Sequence, residues 1–187
     1  MTNSTNLPNR IGRGITLAAL AAVLVLVTGP GCVTTNMAVD VEAEREAVTQ
    51  LIHASIGWAI PEKDRDLCLA VNAHDSSFFI FHPDSASTIV GFDAFESMVD
   101  NVFMNPAFRS VSYEIRDLRV NIARSGSVAW YSCILDDRGE WNGQPVGWSN
   151  TRWTGVLEKR EAGWLIVQMH FSFASDAESD EAEDEGN

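Results

Sequence analysis

The chain has 187 residues, 45% of them hydrophobic, and 13 basic against 26 acidic side chains give a net charge of −13. That apolar share excludes a wholly disordered chain. The acidic balance argues against a nucleic-acid partner, whose phosphates call for clustered Lys and Arg. Three cysteines exclude a disulfide-dense scaffold, and the length suits one domain with appendages.

Residues 1–31 read as a signal peptide. Arg10 and Arg13 are the only charges before Asp40, and they precede an uncharged apolar run of 13 residues, Ile15 to Val27. A bilayer needs about 20 such residues, whereas a secretory leader needs a basic start and a short apolar run. Thr28-Gly29-Pro30-Gly31 closes the run, and Cys32 follows. This arrangement resembles a bacterial lipoprotein signal, in which the cysteine is acylated and becomes the first residue. Gly29 stands where that pattern usually has Leu, and Gly29 and Gly31 also suit an ordinary signal peptidase. Lipidation of Cys32 is favoured over plain export, and an uncleaved anchor comes last. Val33 after the cysteine, by the same resemblance, directs the protein to the outer membrane if the host is Gram-negative.

Residues 32–40 then form the lipidated cysteine and a tether, and the mature chain carries −15. Residues 175–187 hold seven acids and no base, with nothing able to bury a core. They read as a disordered, self-repelling tail. Weak binding of a divalent cation or a basic partner is the less favoured reading of the tail.

Between them lies one domain, 41–174. Val48, Leu51, Ile52, Ile56, Ala59 and Ile60 give a helix over 41–60 one apolar stripe. Glu42, Glu44 and Glu46 suit its start, and Pro61 ends it. A second helix is expected over 62–72, with Leu67, Cys68 and Val71 inward. Phe78 to Phe81 reads as a strand. Gly91 opens a third helix over 92–104, with Phe92, Phe95, Met98, Val99 and Val102 on one side. Four long strands follow, at 109–123, 127–137, 147–160 and 164–174. Ser125-Gly126, Asn142-Gly143 and Glu161-Ala162-Gly163 supply hairpin turns. The expected fold class is α+β: three N-terminal helices packed in the concave side of a strongly curved antiparallel sheet.

The closing segment carries the most specific pattern: Arg152-Trp-Thr154-Gly-Val156, a tight turn, Trp164, then His170-Phe-Ser172. It resembles the final hairpin of SnoaL-like domains in the nuclear-transport-factor-2-like superfamily. The hub domain of calcium/calmodulin-dependent kinase ends similarly. The upstream helix order and Gly91-Phe-Asp-Ala-Phe agree with the resemblance, which covers about 40 to 174. It implies a cone-shaped α+β barrel with a pocket at its wide end, usually a homodimer through the sheet. It does not imply one activity, since isomerases, cyclases, dehydratases, scaffolds and binding proteins share the fold.

Strand alternation sorts candidate residues by face. On the last hairpin Trp153, Gly155 and Leu157 with Leu165, Val167, Met169 and Phe171 form the apolar, inward set. Arg152, Thr154 and Val156 with Trp164, Ile166, Gln168, His170 and Ser172 form the outer set, unless a bulge reverses the faces. Arg152 and His170 are therefore placed at a dimer interface, with carboxylate binding in the pocket as the alternative. On the preceding strand Val128, Trp130, Ser132 and Ile134 are expected to line the pocket. The predicted ligand-binding set is Trp58, Trp130, Ser132, Trp153, Met169 and Phe171, suited to a small apolar or amphipathic molecule.

No inward acid or base stands out. His74, Asp75 and Tyr131 are weak catalytic candidates, and His74-Asp75 reads more readily as a helix end. No metal-ligand spacing, cofactor motif or nucleophile elbow is present, so neither metal nor cofactor is expected. Cys68 and Cys133 are read as buried thiols, with a disulfide between them permitted by export. The leading functional reading is an exported, membrane-tethered module. It binds a small molecule in its cone, presents a dimeric surface, or does both. An acid–base enzyme of the cyclase, isomerase or dehydratase type and a dimeric scaffold without ligand are the alternatives.

Overall fold

Asp40 starts helix α1 (Val41–Gly57) by accepting the Ala43 N–H at 3.2 Å, with Glu42 and Glu44 in the first turn. Val48 and Ile52 are completely buried, on the expected stripe. The computed structural model describes residues 40–83 and 88–174. The expected signal peptide, Cys32, most of the expected tether and the acidic tail lie outside the described residues.

Helix α2 (Arg65–Ala70) is shorter than expected. Asp64 caps it by accepting the Leu67 N–H at 2.9 Å, so Glu62 and Lys63 stay out of the helix. Cys68 and Val71 are buried as expected, but Leu67 faces solvent, 37% exposed. Two short strands follow, β1 (Phe79–Phe81) and β2 (Ile89–Val90), before α3 (Phe92–Met98). The third helix thus comes after two strands, of which the sequence predicts β1 and not β2, so the three helices do not all precede the sheet. It continues as a π-helical turn, Val99–Phe103, closed by the Met104 N–H on the Val99 carbonyl at 2.8 Å. The wider turn swings Phe103 inward and leaves Val102 40% exposed, opposite to the expectation from a 3.6-residue period.

Strands β3 (Phe108–Ile122), β4 (Val128–Trp141), β5 (Gln144–Arg160) and β6 (Gly163–Ser172) form consecutive hairpins. Their turns fall where the sequence placed them. Asn142 and Gly143 both adopt positive φ, as a two-residue hairpin turn demands. The sheet order is β2-β1-β6-β5-β4-β3. β1 runs parallel to β6, so the sheet is mixed and the antiparallel expectation is corrected.

Bulges bend the long strands. Register shifts fall between Ser110 and Ser112 and between Arg116 and Arg119 on β3, and Asp117 there has φ 54°. Another sets Ser149 and Asn150 of β5 against Asp136 alone, with Asn150 at φ 53°. A fourth makes Val167 the extra residue of β6. That last bulge changes the inward set. Trp164 and Ile166 are buried together with Met169 and Phe171, so the expected inward placement of Leu165 and Val167 is wrong for that half of the strand.

The core sits between α1 and the concave sheet face. Val48, Ile52, Tyr131, Leu135, Leu157 and Ile166 all lie within it. Gly155 stands opposite Tyr131, and a Cβ there would fall 2.5 Å from the tyrosine ring and 2.7 Å from the Gln168 carbonyl. Cys68 and Cys133 are free, buried thiols, and burial pushes each up to about 12.

Candidate active site: a lone carboxylate in an aromatic cavity

The wide end of the concave face encloses a cavity of about 310 Å³. The C-terminal part of α1 supplies Ser55 and Ile56, followed by Trp58 and Ala59. The third helix and its π-helical turn supply Phe95, Met98 and Phe103. The sheet supplies Ile80, Phe108, Ser110, Asp137, Gly139, Trp148, Trp153, Met169 and Phe171, with His82 just beyond β1. The size is at the lower end of small-molecule sites, and the lining is mostly hydrocarbon.

Its aromatic wall is continuous. Trp153 stacks on Phe171 at 5.5 Å with the planes 12° apart, and Trp148 meets Phe171 at 5.3 Å. His82 stacks on the same phenyl ring at 5.8 Å and lies 5.7 Å from Trp148. Tyr131 meets Trp153 edge-on from the core side at 5.1 Å. These offsets are the ones favoured by ring quadrupoles. The indole N–H of Trp153 is buried with no hydrogen-bond partner.

Asp137 brings the only carboxylate among the lining residues. It stands opposite Trp148 in the β4–β5 register, and burial pushes its pKa up to about 6. Asp136, one residue earlier, points to the other face. There it accepts the Asn150 N–H at 2.6 Å and pairs with Arg116 at 3.2 Å, and these partners hold its pKa below the usual range. Two adjacent aspartates therefore have opposite environments because strand neighbours alternate. The Arg116–Asp136–Asn150 cluster also pins the β5 bulge beside which Trp148 turns inward.

Trp58, Trp153, Met169 and Phe171 line the cavity. Trp130 and Ser132 do not. The buried residues of β4 are Ala129, Tyr131, Cys133 and Leu135, while Trp130 is 47% exposed on the other face, so the expected facing of β4 is reversed. That reversal is also why sequence reasoning missed Asp137, which shares the odd-numbered face. The three weak catalytic candidates are absent from the cavity lining. His74 Nε2 is 2.9 Å from the Leu69 carbonyl and its ring stacks on Phe92 at 3.9 Å. Asp75 accepts from the Ser77 hydroxyl and N–H and pairs with Arg160 at 2.5 Å, which hold it at about 2. Tyr131 is buried under the cavity floor, and burial pushes its hydroxyl well above 10.

Arg152 and His170 stand on the outer face. Arg152 is exposed opposite Ile134, and His170 is half-buried opposite Thr154, edge-on to Phe81 at 5.9 Å. Trp130 and Val156 pair on that same face. No cluster of three or more potential metal-ligating side chains occurs among the described residues.

A curved, mixed six-stranded sheet with a few helices packed on it defines an α+β architecture. The chain belongs to the SnoaL-like domain family, whose model matches residues 46–176. Solved structures agree on the fold. A nuclear transport factor 2-like superfamily protein from Salmonella enterica serovar Typhimurium is 18% identical, with 75% of this chain and 97% of that one covered and a TM-score of 0.62. A candidate aromatic ring hydroxylase from Novosphingobium aromaticivorans is 19% identical over 71% and 90%, with a TM-score of 0.59. A candidate dehydratase of the NTF2-like family from Streptomyces avermitilis is 15% identical over 71% and 97%, with a TM-score of 0.57. No curated protein matches the chain.

Proposed function

We propose that this SnoaL-like domain is exported, tethered to the cell envelope through Cys32, and binds a small amphipathic molecule in its cone. The observation that carries the binding reading is the aromatic cavity of about 310 Å³ with a single carboxylate in its wall. Apolar walls provide affinity and one polar group provides orientation, the usual division in a ligand site. The chain would assemble as a homodimer through the outer sheet face, where Trp130, Val156, Arg152 and His170 lie. The test is native mass spectrometry of the full chain purified from a bacterial envelope. A small mass that leaves on denaturation, and that is absent from Ser110→Phe with its added ring inside the cavity, is the expected result. A wild-type chain that is empty, and that takes up no apolar probe, refutes the binding reading. Loss of labelled palmitate in Cys32→Ala checks the tether.

A second reading, acid–base catalysis, is favoured by Asp137 itself. A carboxyl raised to about 6 by an apolar site is poised to accept a proton near neutrality. Asp137 would take a proton from an acidic C–H of the ligand, leave the electron pair on the ligand, and return the proton to a second atom. Solvent deuterium entering a bound carbonyl compound with wild type but not with Asp137→Asn would establish this step.

A further inference from the structure

Granting that the cone binds a small molecule, the geometry points to an organic cation as its ligand, with an ammonium head seated between Asp137 and the rings of Trp148, Trp153 and Phe171. Four observations lead there. The lining contains one carboxylate and no Lys or Arg. The other carboxylates that touch cations are already paired, Asp136 to Arg116, Asp75 to Arg160, Glu44 to Lys159 and Asp100 to Arg65. Asp137 has no such ion pair among the described residues. Asp137 is half-buried in an apolar cavity, where an anion without a counter-charge is disfavoured, and a cationic ligand supplies the missing partner.

The aromatic wall serves the same charge. Ring faces attract ammonium groups, and indole does so most strongly. Trp148 stands opposite Asp137 in the register and lies 5.3 Å from Phe171, which stacks on Trp153 at 5.5 Å, and all four residues line the same cavity. The fold already uses this interaction nearby. Lys63 Nζ lies 5.5 Å from the Phe108 ring, but it donates to the Asn105 carbonyl and is not among the lining residues. Two other titratable groups line the cavity. Cys68 is a buried thiol, and His82 stacks on Phe171 as part of the same wall.

The test uses an isosteric pair, acetylcholine and its uncharged carbon analogue 3,3-dimethylbutyl acetate. Each is titrated into the full chain at pH 7.5 and followed by tryptophan fluorescence and calorimetry. The cation is expected to bind at least tenfold tighter than the neutral analogue. Asp137→Asn should remove that preference while leaving the neutral analogue's affinity within about twofold. Trp148→Leu, at a half-buried position and checked for folding by circular dichroism, should weaken the cation more than the analogue. Equal or tighter binding of the neutral analogue by wild type overturns the cation assignment and leaves the binding reading standing. No uptake of either probe by folded protein overturns both. Retention of the preference in folded Asp137→Asn overturns the role of the carboxylate.

Discussion

Replacing Asp137 with Asn should make the empty protein more stable at neutral pH and not below about pH 4. The folded carboxyl sits at about 6 instead of 3.8 because burial disfavours its charged form. A difference of one pKa unit between folded and unfolded states is worth 1.36 kcal/mol, so ionised Asp137 costs the fold about 3 kcal/mol at most. The sign follows from linkage. Below 3.8 the group is protonated in both states and costs nothing. As pH rises through 3.8 the unfolded chain ionises first, and the fold loses stability until about pH 6, beyond which the penalty is constant. The expected gain in Asp137→Asn is therefore about 3 kcal/mol at pH 7 to 8 and about 1.5 kcal/mol at pH 5. Urea denaturation across pH 4.5 to 8 measures it, the lower bound being set by the isoelectric point near 4.5. Asp136→Asn is the internal control and should be destabilised at pH 7, because it loses Arg116 as an ionic partner. A gain in Asp137→Asn that is absent at pH 8, or that grows on acidification, would refute the desolvation argument.

Gly155→Ala should lower stability by about 2 kcal/mol or more in thermal unfolding, since its methyl meets the Tyr131 ring and the Gln168 carbonyl at once. Cys68 and Cys133 should resist thiol reagents at pH 8 until denaturant is added, because burial holds both near 12. Arg152→Ala should weaken self-association in sedimentation experiments and leave probe binding in the cavity unchanged. A change confined to ligand affinity would move Arg152 from the outer face to the site.

The sequence was most informative where chemistry is local. Asn142-Gly143 and Ser125-Gly126 can do little but turn a strand back, and the acids Glu42, Glu44 and Glu46 mark a helix start. Trp153, Met169 and Phe171 were placed inward by alternation alone, Met169 and Phe171 because they lie beyond the Val167 bulge of β6. What failed were choices of phase. Trp130 and Tyr131 are both bulky aromatics, so the residue types on β4 do not say which one is buried. Burial of Tyr131 depends on Gly155 across the ladder, a pairing known only once the register is known. Asp137 followed from that same choice. The Val167 bulge and the π-helical turn at Val99–Phe103 each shift a repeat by one residue, and neither carries a Gly or Pro that would announce it.

The extra residue at Ser149–Asn150 divides the β4–β5 hairpin into two lengths that keep separate time. The stretch near the turn presents Asp137 and Trp148 to the cone, and the stretch beyond it presents Trp153, Gly155 and Leu157. Paired insertions or deletions near the turn would thus reshape the rim of the cavity without rotating the barrel wall. Loss of a single residue at the junction would join the two rhythms, and whichever length held its place would turn the other inside out. Trp153 would exchange places with Arg152, or Trp148 with Gly147. The hairpin can vary its mouth by even steps, and the odd step at Asn150 is the one it must keep.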